Sequence, residues 1–155
     1  MPLRLDPTAL RSPDAIALIG ALNRELSGIY PEPGATHFGL DPADVAPGRG
    51  GFLVAYLDDR PVACGAVRLT APDTAELKRM YVEPSARGQG IGRRLVAALE
   101  QEAVSLGATQ VVLETGIRQT AAIALYARCG YRPIALYGEY NASPGTSVCL
   151  GRELG

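Results

Sequence analysis

One stretch constrains this chain more than any other. Residues 75–106 pass from an alternating apolar and charged segment, through Arg87-Gly88-Gln89-Gly90-Ile91-Gly92, into an amphipathic run. Leu77, Met80 and Val82 interleaved with charge predict a strand, and Ile91, Leu95, Val96, Leu99, Ala103 and Leu106 predict a helix that Gly107 ends. Glycines at 88, 90 and 92 let the backbone bend sharply and bring its N–H groups close to a ligand. The helix that starts there adds unpaired N–H groups and a positive dipole end, and Arg87, Arg93 and Arg94 add charge at the rim. Strand, glycine turn and helix in this order predict a site for a phosphate or pyrophosphate; the competing reading is a tight turn that uses glycine for geometry alone. A P-loop would need Gly-Lys-Ser/Thr, whereas Gly92 is followed by Arg93-Arg94. A dinucleotide fold would need Gly-x-Gly-x-x-Gly after an early strand, and here the spacing is Gly-x-Gly-x-Gly halfway along the chain.

The remainder of the chain frames this unit. At 155 residues it is the size of one domain, and 47% apolar with 20% charged residues is a globular balance. Ser12-Pro13-Asp14 reads as a helix start, followed by Ile16, Ile19, Leu22 and Leu26 at helical spacing and by Gly28 as the stop. Residues 29–50 lack strong periodicity, apart from Asp41-Pro42 as a short helix start; a loop this long in a small domain is expected to be functional or mobile. Residues 52–57 and 62–69 are β-like runs joined by Asp58-Asp59-Arg60-Pro61, a hairpin signal. After the glycine unit come a strand over 110–115, a helix over 119–129 ended by Gly130, and strands over 131–137 and 146–154. The order β-β-β-loop-α-β-α-β-β is an α/β domain, with a mixed central sheet flanked by helices.

Composition removes several functions. A net charge of −1 gives no large positive field for nucleic acid, which leaves a local basic patch as the one route to it, and no run approaches the length of a membrane span. Residues 1–13 have no apolar segment of the signal-peptide kind. Cys64, Cys129 and Cys149 are odd in number and far apart, which suits buried thiols in a reducing, cytoplasmic setting; with one histidine, His37, a metal site is not expected. Lys78 is the single lysine beside 14 arginines, read here as base composition of the genome with no chemical demand behind it.

Two motifs together resemble one family. Arg87-Gly88-Gln89-Gly90-Ile91-Gly92, after Glu76-Leu77-Lys78-Arg79-Met80-Tyr81-Val82, resembles the central acetyl-CoA motif of the GNAT N-acetyltransferase superfamily, Gln/Arg-x-x-Gly-x-Gly/Ala. Ala122-Ile123-Ala124-Leu125-Tyr126-Ala127-Arg128-Cys129-Gly130-Tyr131 resembles the family's late helix, Ala-x-x-Leu-Tyr-x-x-x-Gly-Phe/Tyr. The resemblance covers residues 50–155 and extends to the first helix. It implies one GNAT-like domain over 1–155, with an N-terminal helix and substrate loop in residues 1–50 and a cofactor-binding core in 51–155.

The resemblance also implies roles. Acetyl-CoA would rest its pyrophosphate on the N–H groups of Arg87, Gly88, Gln89, Gly90, Ile91, Gly92 and Arg93, and its pantetheine arm would pair like an extra strand along Met80, Tyr81 and Val82. The backbone N–H of Met80 would hold the oxyanion of a tetrahedral intermediate formed by direct attack of an amine. Tyr126 stands where the family has its general acid, and a phenol of pKa about 10 suits a thiolate whose conjugate acid is about 8.5; spacing alone would place it in the core. Glu76 is the candidate general base, with a structural pairing to an arginine such as Arg68 as the alternative, and Glu114 is a second candidate. Gln119 replaces the asparagine that often contacts pantetheine.

The acceptor is expected to be a primary amine on a small molecule or amino acid, with Tyr30, His37, Tyr137 and Tyr140 as candidate pocket residues and loop anchoring as their other reading. Two other activities fit the same motifs: a non-catalytic acyl-CoA sensor, and transfer to a protein or peptide amine. Relatives often pair through their last strands, so a homodimer is the expected assembly.

Overall fold

The structure, a computed structural model, describes residues 2–31 and 39–155. Seven strands form one mixed sheet in the order β1-β2-β3-β4-β5-β7-β6. The elements run β1 (Leu3–Pro7), α1 (Pro13–Ile29), β2 (Gly50–Leu57), β3 (Arg60–Ala71), β4 (Thr74–Val82), α2 (Ile91–Ser105), β5 (Gln110–Gly116), α3 (Thr120–Arg128), β6 (Arg132–Ile134) and β7 (Ser147–Glu153). Short 3-10 turns stand at Pro42–Val45, Pro84–Ala86 and Gly138–Ala142. No described helix is long and apolar enough to cross a membrane.

Local chemistry explains most of the boundaries. The Ser12 hydroxyl accepts from the Ala15 N–H at 3.2 Å and caps α1, with Pro13 in its first turn. Asp58 and Asp59 take left-handed backbone angles (φ 51° and 63°) and close the β2–β3 hairpin, a conformation that short acidic side chains tolerate. Gly107 (φ 94°) follows α2 as expected.

Two helical layers cover the sheet. Leu95, Val96 and Leu99 of α2 pack with Leu77, Val111 and Leu113 of the sheet and with Tyr126 of α3. On the other side Ala15, Leu18 and Leu22 of α1 cover Phe52, Val54, Cys64 and Ala66. The Cys64 and Cys149 thiols are buried and Cys129 is half-buried, all three free; burial pushes Cys64 up to about 12.

Three expectations need correction. Leu3–Pro7 is an edge strand paired antiparallel to β2, although five residues ending in proline gave no periodic signal. The buried stripe of α1 is Ala15, Leu18 and Leu22, with Ile19 and Leu26 packed at its edge, and of the expected stripe Ile16 alone is exposed. The strand expected over 131–137 is limited to Arg132–Ile134, because Tyr137 turns into the Gly138–Ala142 turn.

The feature that shapes the site is a break in β4. Arg79 has φ 57°, and the β3 partners skip from Lys78 opposite Ala66 to Tyr81 opposite Cys64, so β4 carries a bulge there. β5 runs parallel to β4 from Thr74–Gln110 to Leu77–Leu113, and the register ends at that pair. Beyond Leu77 the two strands part, and the edge of β4 that faces β5 meets no strand among the described residues.

Leu99 is fully buried beneath the sheet, and Leu99→Ala should cost about 2–5 kcal/mol of unfolding free energy, read as a fall in the urea midpoint at unchanged slope.

Candidate active site

The divergence of β4 and β5 opens a cleft of about 590 Å³ between β4, the start of α2 and α3. One wall is Met80, Tyr81 and Val82; the floor is the turn from Arg87 to Arg93; the far wall is Gln119, Ala122, Leu125 and Tyr126. Gly88 (φ 82°) and Gly90 (φ 79°) hold left-handed angles that a residue with a Cβ reaches only with strain, and space beyond both is open. Gly90 caps α2 without a side-chain acceptor, so the first N–H groups of that helix point into the cleft with no partner from the cap. A pyrophosphate fits donors of this kind. Arg87 is less a ligand-reaching side chain than a brace: its Nε donates to the Val82 carbonyl at 2.7 Å and its Nη2 to Glu25 of α1 at 2.7 Å. Gln89 sits at the exposed crest of the turn, and Ile91 is buried beneath it.

Tyr126 stands at the inner end of this cleft. Its ring is buried edge-on to Tyr131 at 5.9 Å, and burial with the nearby Glu114 and Cys129 pushes its phenol well above the ordinary value of 10. It makes no hydrogen bond among the described residues. The helical face that spacing alone assigned to the core is therefore half right: the ring packs, and the residue lines the cleft as well.

Behind Met80 lies a second, smaller cavity of about 90 Å³. Leu22, Met80, Gln119, Ala122 and Tyr126 line both cavities, and Lys78, Arg79, Glu114 and Tyr140 line only the smaller one. Glu114 accepts from the Ser147 hydroxyl at 2.8 Å. Arg79 donates to the Asn23 carboxamide oxygen of α1, and burial lowers its pKa.

Several site expectations are relocated. Glu76 is 1% exposed and lines neither cavity. One carboxylate oxygen accepts from Arg68 Nε at 2.9 Å; the other accepts from the hydroxyls of Tyr137 at 2.7 Å and Tyr140 at 3.1 Å. It is an anchor, held on every side, and the pairing with Arg68 is the one the sequence offered as the alternative to a base. The same contacts, together with burial, push the Tyr137 and Tyr140 phenols up, so both remain donors. Tyr137 lines neither cavity, whereas Tyr140 lines the smaller one. Tyr30 also lines neither: its hydroxyl accepts from the Arg118 N–H at 2.7 Å, and the Arg118 guanidinium lies 5.0 Å over its ring. A Cβ at Gly116 would overlap that hydroxyl, so glycine is needed for the close approach. His37 lies outside the described residues. Gln119 turns its carboxamide oxygen back to the Gly116 N–H at 2.9 Å, which ties the start of α3 to the end of β5.

The sequence reading passed over Lys78 and Arg79 as site residues. Lys78 was visible as the single lysine of the chain; nothing local marks which way Arg79 points.

A parallel strand pair that splits over a glycine-capped helix is the architecture of an acyl-CoA-dependent N-acyltransferase. Residues 17–131 match the model of the acetyltransferase (GNAT) family, and the chain belongs to that family. It is 39% identical over 130 residues to the IAA acetyltransferase of Azospirillum brasilense, covering 83% of this chain and 84% of the relative. A crystal structure from Klebsiella pneumoniae, assigned as an acyl-CoA N-acyltransferase, superposes with a TM-score of 0.84 at 33% identity, covering 98% of this chain and 97% of that one. A GNAT acetyltransferase from Elizabethkingia anophelis with acetyl-CoA bound shares the fold at 18% identity and a TM-score of 0.71, covering 98% of each chain. The protein is an acetyl-CoA-dependent N-acetyltransferase.

The anchor role of Glu76 is testable. Glu76→Gln leaves Arg68 with Asp44 alone as a counter-charge and weakens the charge-assisted bonds to Tyr137 and Tyr140, and should cost about 1–3 kcal/mol of stability, with the affinity for acetyl-CoA measured by calorimetry unchanged.

Proposed function

We propose that the enzyme acetylates the amine of a small acceptor seated in the cavity behind Met80, with Tyr126 as general acid and Glu114 as the carboxylate that takes the amine proton. The observation that carries this reading is the position of Tyr126, a residue of the wall shared by the larger and the smaller cavity, whose hydroxyl makes no hydrogen bond among the described residues. The glycine turn and the first N–H groups of α2 hold the pyrophosphate, and the unpaired edge of β4 at Met80 and Val82 holds the pantetheine arm. Acetyl-CoA supplies the acetyl thioester. The Met80 N–H donates to the carbonyl oxygen as negative charge develops on it, a donor fixed in place before reaction. Glu114 draws the amine proton, directly or through one water, and neutral amine is the attacking form. Tyr126 gives its proton to the departing sulfur and recovers the proton that the attacking nitrogen sheds as the amide forms; burial keeps the phenol protonated at neutral pH.

The acceptor is a small molecule because the cavity behind Met80 is compact, and peptide amines are the arm of the test that would contradict this. The test is CoA-thiol release by purified protein across amino acids, other small amines, polyamines, aminoglycosides and peptide amines. Release that depends on a small amine supports the reading; release with peptide amines alone, or acetyl-CoA binding with no release on any amine, overturns it.

Tyr126→Phe should lower kcat by about 10²–10⁴-fold with the acetyl-CoA Kd unchanged. Because its phenol is raised, the wild-type rate should show no alkaline loss at the ordinary tyrosine value of 10. Glu114→Gln should lower kcat/KM most at acidic and neutral pH and recover partly as rising pH supplies neutral amine.

A further inference from the structure

One residue that lines the smaller cavity, Lys78, has a buried ammonium to which the described residues offer no hydrogen bond. The Lys78 side chain is 4% exposed, and its ammonium nitrogen makes no hydrogen bond among the described residues. Three N–H donors are thus buried without an acceptor, an arrangement that costs stability unless something else supplies one. The nearest carboxylate oxygen, of half-exposed Glu139, is 3.9 Å away, an ion-pair distance beyond hydrogen-bond range. The Tyr140 ring lies 5.8 Å from the same nitrogen. The neighbouring acids are engaged elsewhere: Glu76 by Arg68 and two tyrosines, Glu114 by Ser147, Asp44 by Arg68.

The backbone sets Lys78 against Glu114. Leu77 and Leu113 are the last matched pair of the parallel strands, so Lys78 and Glu114 are the next residue on each, where the strands part. Both line a cavity of about 90 Å³ that shares its Met80 and Tyr126 wall with the acetyl-CoA cleft. A small cavity with an unfilled cation on one strand and a carboxylate on the other is complementary to a molecule carrying an anion and an amine a few bonds apart. The choice of lysine adds weight: every other cationic side chain here is arginine, and a compact ammonium fits where a planar guanidinium would fill the space.

We infer that Lys78 is the acceptor-specificity residue, and that the acceptor is an amino acid whose carboxylate takes the hydrogen bonds of the Lys78 ammonium while its amine lies toward Glu114 and Met80. This rests on the proposed seating of the acceptor behind Met80, and it narrows the class from small amines to amino carboxylates. A charge-assisted bond to a buried ammonium should favour the carboxylate form about ten-fold or more over a neutral analogue.

The test compares each α-amino acid of a panel with its primary amide and with the amine that lacks the carboxyl group, by kcat/KM in the CoA-release assay and by calorimetry on the CoA-saturated protein. The wild type is set beside Lys78→Met and Lys78→Gln. The expected result is a preference of about ten-fold or more for at least one amino acid over its amide and amine, collapsing toward unity in both variants, with CoA affinity unchanged. Lys78→Met should also melt higher, by about 2–4 °C, because it removes an unsatisfied buried charge. Equal use of amino acids and their neutral analogues, or a preference that survives both substitutions, overturns the inference and leaves the transferase reading intact. Turnover on no amine overturns the transferase reading; the calorimetric arm then decides the inference alone, and wild-type protein that binds no amino acid more tightly than its amide overturns it.

Discussion

Everything functional in this protein follows from the parting of β4 and β5. Two parallel strands that stayed paired to their ends would satisfy each other's N–H and C=O groups and leave no room for a ligand. Here the Arg79 bulge turns β4 away after Leu77, so from Lys78 to Val82 one edge has no strand partner among the described residues, and the Val82 carbonyl is taken by the Arg87 side chain. An open edge is ordinarily a liability for association with another chain. In this fold α2 and α3 flank it, and it becomes a surface on which an amide-bearing arm can lie. The same parting places Lys78 and Glu114, Met80 and Tyr126 around two adjoining spaces.

A strand that diverges must be held in its diverged position, and the sheet does this with polar contacts on the side covered by α1. Arg79 reaches Asn23 of α1, and Arg87 joins the Val82 carbonyl to Glu25 of the same helix. Glu76, just before the divergence, gathers Arg68 and the two tyrosines of the segment ahead of β7. A buried ion pair stabilises little over an apolar replacement, but it fixes geometry, because each member is costly to leave unpaired. The Gly138–Ala142 turn that bears Tyr140, a residue of the smaller cavity, is positioned in this way by Glu76, which lines neither cavity.

What could be read from the sequence was what is decided within a few residues. The cap at Ser12, the Asp58-Asp59 hairpin, the glycine turn and the α2 stripe each depend on neighbours along the chain, and each stands where the pattern placed it. The motif order sufficed for the family and for the cleft. The role of Glu76 was beyond such reading, since its partners Tyr137 and Tyr140 lie 61 and 64 residues away. Tyr30 was drawn into the candidate pocket by its loop position, and its actual partner is a backbone N–H 88 residues on. The edge strand β1 had too few alternating residues to register, and α1 leaves Ile16 exposed because Ala15, Leu18 and Leu22 face the sheet.

Lys78 shows how a local signal can be present and still be misjudged. A single lysine among 15 basic residues is compatible with a genome that favours arginine codons, and by count alone it carries no chemistry. Its meaning comes from burial without hydrogen bonds beside a cavity, which is a property of the folded chain. Sites selected only for stability would replace such a group with methionine or leucine, since the stem packs equally well without its charge. On the proposed seating of the acceptor, the hydrogen-bond acceptor that Lys78 lacks arrives with the substrate. The stability lost in the empty enzyme then becomes discrimination in the loaded one, because a ligand without an anion leaves the ammonium as unsatisfied as before.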